Sequence, residues 1–309
     1  MAETLALYWG IFYNNLVPTL LAAGAGYLLG RRLRPDVRSI SRLTFYIFSP
    51  CLVFISLTQS HLAGSELVQI ALVAWGTILA VILAAFTIGR AARLATPTIA
   101  ALATVSAFGN AGNFGLAVTR FAFGEVVLAP AAVFFAFSSV AVYTVGVAVA
   151  SAGRRPWRDV LRHGLTLPTT YALLVAAVLQ LTQWPIPEPL TRATTLLSQG
   201  AIPVMLSLLG MQIAQVKSWP RSRLALVAVA AILQLLLSPL VAFLLAGALG
   251  LTGAARQAVI LESAMPTAVI VTILSTEYDL DPALAGAAVL VTTLLSPLTL
   301  TPLIAYLQR

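Results

Sequence analysis

Charge is what this chain has least of. Asp, Glu, Lys and Arg make up 9% of its 309 residues, against about 25% in soluble domains. So little charge cannot cover a water-facing surface, and a soluble globular fold is excluded. A single cysteine, Cys51, rules out an internal disulfide and says nothing about redox compartment. No cluster of side chains with metal-ligand spacing occurs, and no nucleophile stands with a base. Neither a metal cofactor nor an enzyme is therefore expected. Met1 to Leu7 holds Glu3 but no Arg or Lys, the wrong charge for the start of a secretory signal, so the first apolar segment is expected to stay. The alternation of an outer-membrane barrel is missing too.

Apolar residues fill the space, at 60% of the chain, with a mean hydropathy of +0.95. The fold expected is an all-α polytopic membrane protein. Ten apolar segments are long enough to span a bilayer, for which about 20 residues suffice. They run over 11–30, 40–59, 66–89, 97–119, 126–150, 165–183, 192–214, 224–250, 257–275 and 283–306. The connections are too short to hold a soluble domain.

The net charge of +8 invites a nucleic-acid reading, but its distribution points to a bilayer. Arg31, Arg32, Arg34, Arg38 and Arg42 lie between segments 1 and 2, and Arg90 and Arg93 between 3 and 4. Arg154, Arg155, Arg158 and Arg162 lie between 5 and 6, and Lys217, Arg221 and Arg223 between 7 and 8. These loops share one side, which the positive-inside rule makes cytoplasmic. Both termini then face outward from the cell's inner (plasma) membrane. One loop, 276–282, falls on the basic side yet is acidic. The partners expected are lipid and a small solute rather than nucleic acid.

The two halves carry similar landmarks in the same order. Pro18 matches Pro168, Pro50 matches Pro203, the glycines around Asn110 match the stretch before Pro266, and Gly124-Glu125 matches Leu280-Asp281. Five segments per half is an odd number, so the second half, 156–309, must insert upside down relative to the first, 1–155. An inverted repeat of this kind is a hallmark of secondary transporters.

The matching interruptions are Gly109-Asn110-Ala111-Gly112-Asn113-Phe114-Gly115 in segment 4 and Glu262-Ser263-Ala264-Met265-Pro266-Thr267 in segment 9. Each glycine costs a helix about 1 kcal/mol against alanine, and open backbone in hydrocarbon costs several more. Such breaks persist where they are buried in protein or line a cavity, and paired breaks mark a transporter's binding site. If the two cross, helix N-termini offer amides to an anion and C-termini offer carbonyls to a cation.

Asn110 and Asn113 are the candidate substrate contacts, with satisfaction of the freed backbone as their alternative role. Pro266 and Thr267 of the second break, Ser49 beside Pro50, and Asn14 complete the candidate substrate-binding set. Asn14 and Asn15 have no certain facing, an interfacial position being the alternative to a pore-lining one. Glu262 is the one acidic side chain deep in an apolar segment, a costly placement that usually marks an ion or proton pathway. With Ser263 it is the candidate coupling site for Na⁺ or H⁺; the alternative is a shallow carboxylate near Arg256. Arg120 either snorkels to the interface or attracts an anion.

The pattern Asn110-x-Gly-Asn-x-Gly-Leu with Phe123-Gly124 resembles the auxin efflux carrier family, which includes plant PIN carriers and bacterial organic-acid permeases. So do Met265-Pro266-Thr267-Ala268-Val269, Asp281-Pro282, Leu294-Leu295-Ser296-Pro297, and Arg42 with Ile47-Phe48-Ser49-Pro50. The resemblance covers essentially the whole chain. It implies ten helices with crossed, broken helices 4 and 9, as in bile-acid/sodium symporters. It further implies a scaffold of helices 1, 2, 6 and 7, a transport domain of 3–5 and 8–10 moving as an elevator, and a substrate carboxylate on Asn110. Dimers occur among relatives. The chain departs at Ala117, where many relatives have proline, and at Ile270, where many have asparagine. The expected function is transport of a small organic anion, auxin-like or a dicarboxylate. Its rivals are a Na⁺- or H⁺-coupled bile-acid-type symporter and a ligand-binding membrane receptor.

Overall fold

The computed structural model describes residues 2–60, 62–151, 166–215 and 223–309. His61, the basic residues Arg154, Arg155, Arg158, Arg162, Lys217 and Arg221, and the expected junction at 155–156 lie outside the described residues.

Regular structure among the described residues is helical. In chain order, α1 covers 2–32, α2 Val37–Thr58, α3 Gly64–Ala91, and α4 is split into α4a, Thr96–Ala107, and α4b, 111–123. Next come α5, Glu125–Ala150, α6, Pro168–Thr182, α7, Glu188–Ile213, and α8, Leu224–Ala248. The second split helix has α9a, Gly253–Ser263, and α9b, Ile270–Glu277; α10 is Pro282–Leu307. Six of these, α2, α3, α5, α7, α8 and α10, are long and apolar enough to cross a bilayer unaided. The 12 residues of α4a reach only about 18 Å, so α4 spans only as two halves in tandem. Three helices start four or more residues earlier than expected from hydropathy, α9a among them, at Gly253 rather than near 257. The first helix begins at Ala2 rather than near residue 11, and α7 begins at Glu188 behind Pro187 rather than near 192.

Proline explains several irregular turns. Its ring clashes with the carbonyl four residues earlier. Pro18, Pro50 and Pro239 each stand two residues after a widened π-type turn, at Phe12–Leu16, Thr44–Phe48 and Leu233–Leu237. The wide turn moves the offending carbonyl aside without ending the helix. Two more wide turns, Ala111–Gly115 and Val142–Gly146, contain and precede no proline at that spacing.

Loops gather at two ends. At one end Pro35, Asp36, Gln215, Thr276, Glu277 and Pro282 surround a single cleft. There Arg223 pairs with Asp281 at 2.9 Å, which gives the acidic loop its place on the basic side. Asp281 also caps α10 by accepting from the Leu284 amide at 2.9 Å. Asp36 caps α2, and the Ser39 hydroxyl and Arg38 amide hold its carboxyl below the usual range. At the other end Gln180 donates to the Ser60 and Leu62 carbonyls, Gln69 to Leu249, and Gln308 to Ala122.

The helices α1, α2, α6 and α7 pack on one another, as do α3, α4a, α5, α8 and α9a, and the two sets meet where α5 packs on α2 and α6 and α4b on α1 and α7. The tightest seam lies between α1 and α7, where a Cβ at Gly26 would strike the Ser207 carbonyl and one at Gly210 the Ala23 carbonyl. Small residues that let backbones touch are the usual way apolar helices associate in lipid.

That seam is testable. Gly210→Ala should lower stability by about 1–3 kcal/mol through overpacking, whereas Gly247→Ala, with nothing within 4 Å of the new methyl, should not. Thermal melting of the two purified variants compares them; equal melting temperatures would show that the α1–α7 seam yields freely.

Candidate functional site

The two breaks satisfy each other. Gly109 and Thr267 form an antiparallel bridge. The Asn110 amide donates to the Pro266 carbonyl at 2.7 Å, and the Ala268 amide to the Phe108 carbonyl at 2.8 Å. Side chains close the remaining gaps. The Thr267 hydroxyl donates to the Val105 carbonyl at 3.0 Å, and the Thr267 amide to the Thr292 hydroxyl at 3.0 Å. The Gln234 amide nitrogen reaches the Met265 carbonyl at 2.9 Å, and the Ser238 hydroxyl the Ser263 carbonyl at 2.8 Å. Pro266 brings no N–H that would need a partner. Gly109 permits the close approach, since a Cβ there would lie 2.9 Å from the Gln234 nitrogen and 3.2 Å from the Met265 carbonyl.

The crossing has two chemically different faces. The C-terminal ends of α4a and α9a, at Ala107, Phe108, Glu262 and Ser263, border a cavity of about 20 Å³ with Thr77, Ser138 and Gln234. The N-terminal ends of α4b and α9b border a second cavity of about 80 Å³, together with Asn110, Asn113, Ser138 and Tyr143. This second cavity adjoins a larger one of about 610 Å³, with which it shares Asn113, Phe45, Phe135, Tyr143 and Ile270. The larger cavity continues past Ser49 to Ser41, Arg42, Arg38 and Gln212. A cleft of about 880 Å³ shares Arg38, Ser41, Gln212, Ile273 and Glu277 with it.

Asn110 is 4% exposed and its side-chain nitrogen has no hydrogen-bond partner. Its carbonyl accepts from the Gly115 amide at 2.9 Å and so starts α4b. Asn113 is half-buried and lines both the cavity of about 80 Å³ and that of about 610 Å³. Ser49 lines the large cavity with its hydroxyl unpartnered. Pro266 and Thr267 lie inside the brace and line none of the cavities described here. Asn14 is exposed on α1 and does not reach the crossing, whereas its neighbour Asn15 is buried.

Glu262 sits in the last turn of α9a and is 1% exposed. Thr119 donates to one carboxyl oxygen at 2.7 Å, and the other has no partner. That second oxygen lies against Gly115, where any Cβ would collide with it. Ser263, next along, has an unpartnered hydroxyl. Arg120 points away from the crossing and pairs with Glu125 at 2.8 Å.

Several residues at the crossing were not picked out from the sequence. Gln234 is the single amide in the apolar run of α8, and that isolation is the signal that could have found it. Thr119, Thr77 and Ser138 carried no such signal, because hydroxyls in membrane helices commonly bond their own backbone.

The sequence family described as "Membrane transport protein" matches residues 11–154 and 154–304. A protein of Rhizobium meliloti named "Putative malonate transporter" is 30% identical over 303 residues, 92% of each chain. An "Uncharacterized transporter" of Methanothermobacter thermautotrophicus is 26% identical over 295 residues, 93% of this chain and 95% of its own. Another, from Methanocaldococcus jannaschii, is 24% identical over 272 residues, 84% and 86% of the two chains.

The brace predicts a graded mutational effect. Thr267→Val leaves the Val105 carbonyl without its donor and should cost about 1–3 kcal/mol, while Thr267→Ser should recover most of it. Melting temperatures of both variants check this; a valine variant as stable as the parent would mean that the hydroxyl does not hold the crossing.

Proposed function

Since the chain belongs to the membrane transport protein family, the auxin efflux carrier family that its motifs resemble, we propose that it moves a small organic anion across the cytoplasmic membrane as a secondary transporter. Membership and helix content make it a multi-pass membrane transporter. The finer statements are the proposal. Ten crossings form two inverted halves, 1–155 and 156–309, with both termini outside. The helices α1, α2, α6 and α7 act as scaffold, and α3–α5 with α8–α10 as the moving body. The most extensive contacts, α1 on α7, α2 on α6 and α3 on α4a, fall within the two groups and support that division, while α5 also packs across on α2 and α6. As among relatives, two copies are proposed to pair as a homodimer.

One observation carries the choice of substrate. The Asn110 side-chain nitrogen is a buried donor without a partner, on the face where two half-helices begin. A donor beside positive dipole ends favours an acceptor with negative charge. Asn113 stands beside it, and Ser49 borders the path towards Arg42 and Arg38. Pro266 and Thr267 shape the site by holding the two breaks together. The cavity of about 610 Å³ accommodates a carboxylate of metabolite size. The name of the Rhizobium meliloti relative makes malonate the first substrate to try.

Uptake and efflux of labelled malonate, malate and indole-3-acetate in proteoliposomes test the proposal. Asn110→Ala should lower flux or binding about 10- to 150-fold, the worth of a hydrogen bond to a charged group, while the variant melts normally. Wild-type affinity in that variant would remove Asn110 from the site, and ligand binding without flux would favour a receptor.

A further inference from the structure

We propose that the other face of the crossing, the cavity of about 20 Å³ where α4a and α9a end, binds a small monovalent cation, Na⁺, carried along with the organic anion. This rests on the transport reading of the crossing and adds to it a ligand set. Four side-chain oxygens around the cavity have no hydrogen-bond partner: Thr77 Oγ1, Ser138 Oγ, Gln234 Oε1 and Ser263 Oγ. Thr77, Gln234 and Ser263 are 3%, 1% and 4% exposed. The nitrogen of Gln234 already donates to the Met265 and Ser263 carbonyls, so its remaining oxygen can only accept.

Everything at this face is suited to positive charge. Two helices end here, and the C-terminal end of a helix carries partial negative charge. Uncharged oxygens of hydroxyl and amide groups are hard ligands of the kind alkali and alkaline-earth ions take. The Glu262 carboxyl, on the same last turn as Ser263, has Thr119 as its hydrogen-bond donor and no basic partner among the described residues. A divalent ion would call for more carboxylates, and no group of three His, Cys, Asp or Glu occurs among the described residues. The cavity is roomy enough for one bare ion or one water, since a water needs roughly 10–15 Å³. A single water has two protons to offer these four oxygens, whereas one cation can meet all of them at once.

The same geometry couples the ion to the anion. Gly109, Ala111, Ser138 and Val142 border both the cation-side and the anion-side cavity. Ser138 therefore stands in the partition, able to turn a lone pair to the cation and its proton to the carboxylate. Each ligand then orders the hydroxyl for the other.

The test uses the purified full chain and needs no transport. Melting is followed in NaCl, KCl and choline chloride at equal ionic strength. A saturable rise specific to Na⁺ is expected, and Thr77→Val and Ser263→Ala should each weaken its apparent affinity about tenfold or more, a loss of one ligand. Glu262→Gln should lose the response. Malonate flux in proteoliposomes should follow an imposed Na⁺ gradient. Identical melting in all three salts overturns the site, as does flux driven by a pH gradient alone and abolished in Glu262→Gln. Anion flux indifferent to Na⁺ sinks this inference and leaves the transport proposal standing. Na⁺-specific stabilisation without flux of any acid does the reverse.

Discussion

Broken backbone in an apolar interior has to find its hydrogen bonds somewhere, and this fold is arranged around that need. Neither α4 nor α9 can close its own gap. Each supplies what the other lacks, through the Asn110 amide on Pro266 and the Ala268 amide on Phe108. Removing either break would strand the other at the cost of unsatisfied buried groups. The surrounding helices serve the same need: α8 contributes Gln234 and Ser238, and α10 contributes Thr292. The glycines follow from it as well, because Gly109 and Gly115 sit where backbone or carboxylate leaves no room for a methyl.

Once the half-helices are held tip to tip, their directions sort the chemistry. Both helical starts open on one side and both helical ends on the other. Amide donors collect with Asn110 and Asn113, and oxygen acceptors with Gln234, Ser263 and Glu262. No charged side chain is required to create this polarity; peptide dipoles and capping geometry suffice.

Much of this could be read from the sequence, for reasons that differ by residue. The helical segments were legible because lipid demands long apolar runs, and the breaks because glycine, asparagine and proline are poor company inside such runs. The family followed from those same motifs. Starts were read less well: Ala2 and Glu188 lie beyond the hydropathic limits because helices outrun the hydrocarbon. The direction of a side chain was harder still. Asn14 and Asn15 are neighbours of one type, yet the first is exposed and the second buried, and a wide turn at Phe12–Leu16 changes the phase that would have decided between them. Gln234 needed the fold, because its role depends on a backbone segment 31 residues downstream.

The wide turns also bear on how such a chain drifts over generations. Ala117 follows Ala111–Gly115 at the spacing by which Pro18, Pro50 and Pro239 follow theirs, and sequences this one resembles often have proline there. The turn survives without it. The wide turn already displaces the carbonyl that a proline ring at 117 would meet, so gain or loss of that proline need not end the helix. The lasting feature is the shape of the backbone, and the imino acid is a tenant.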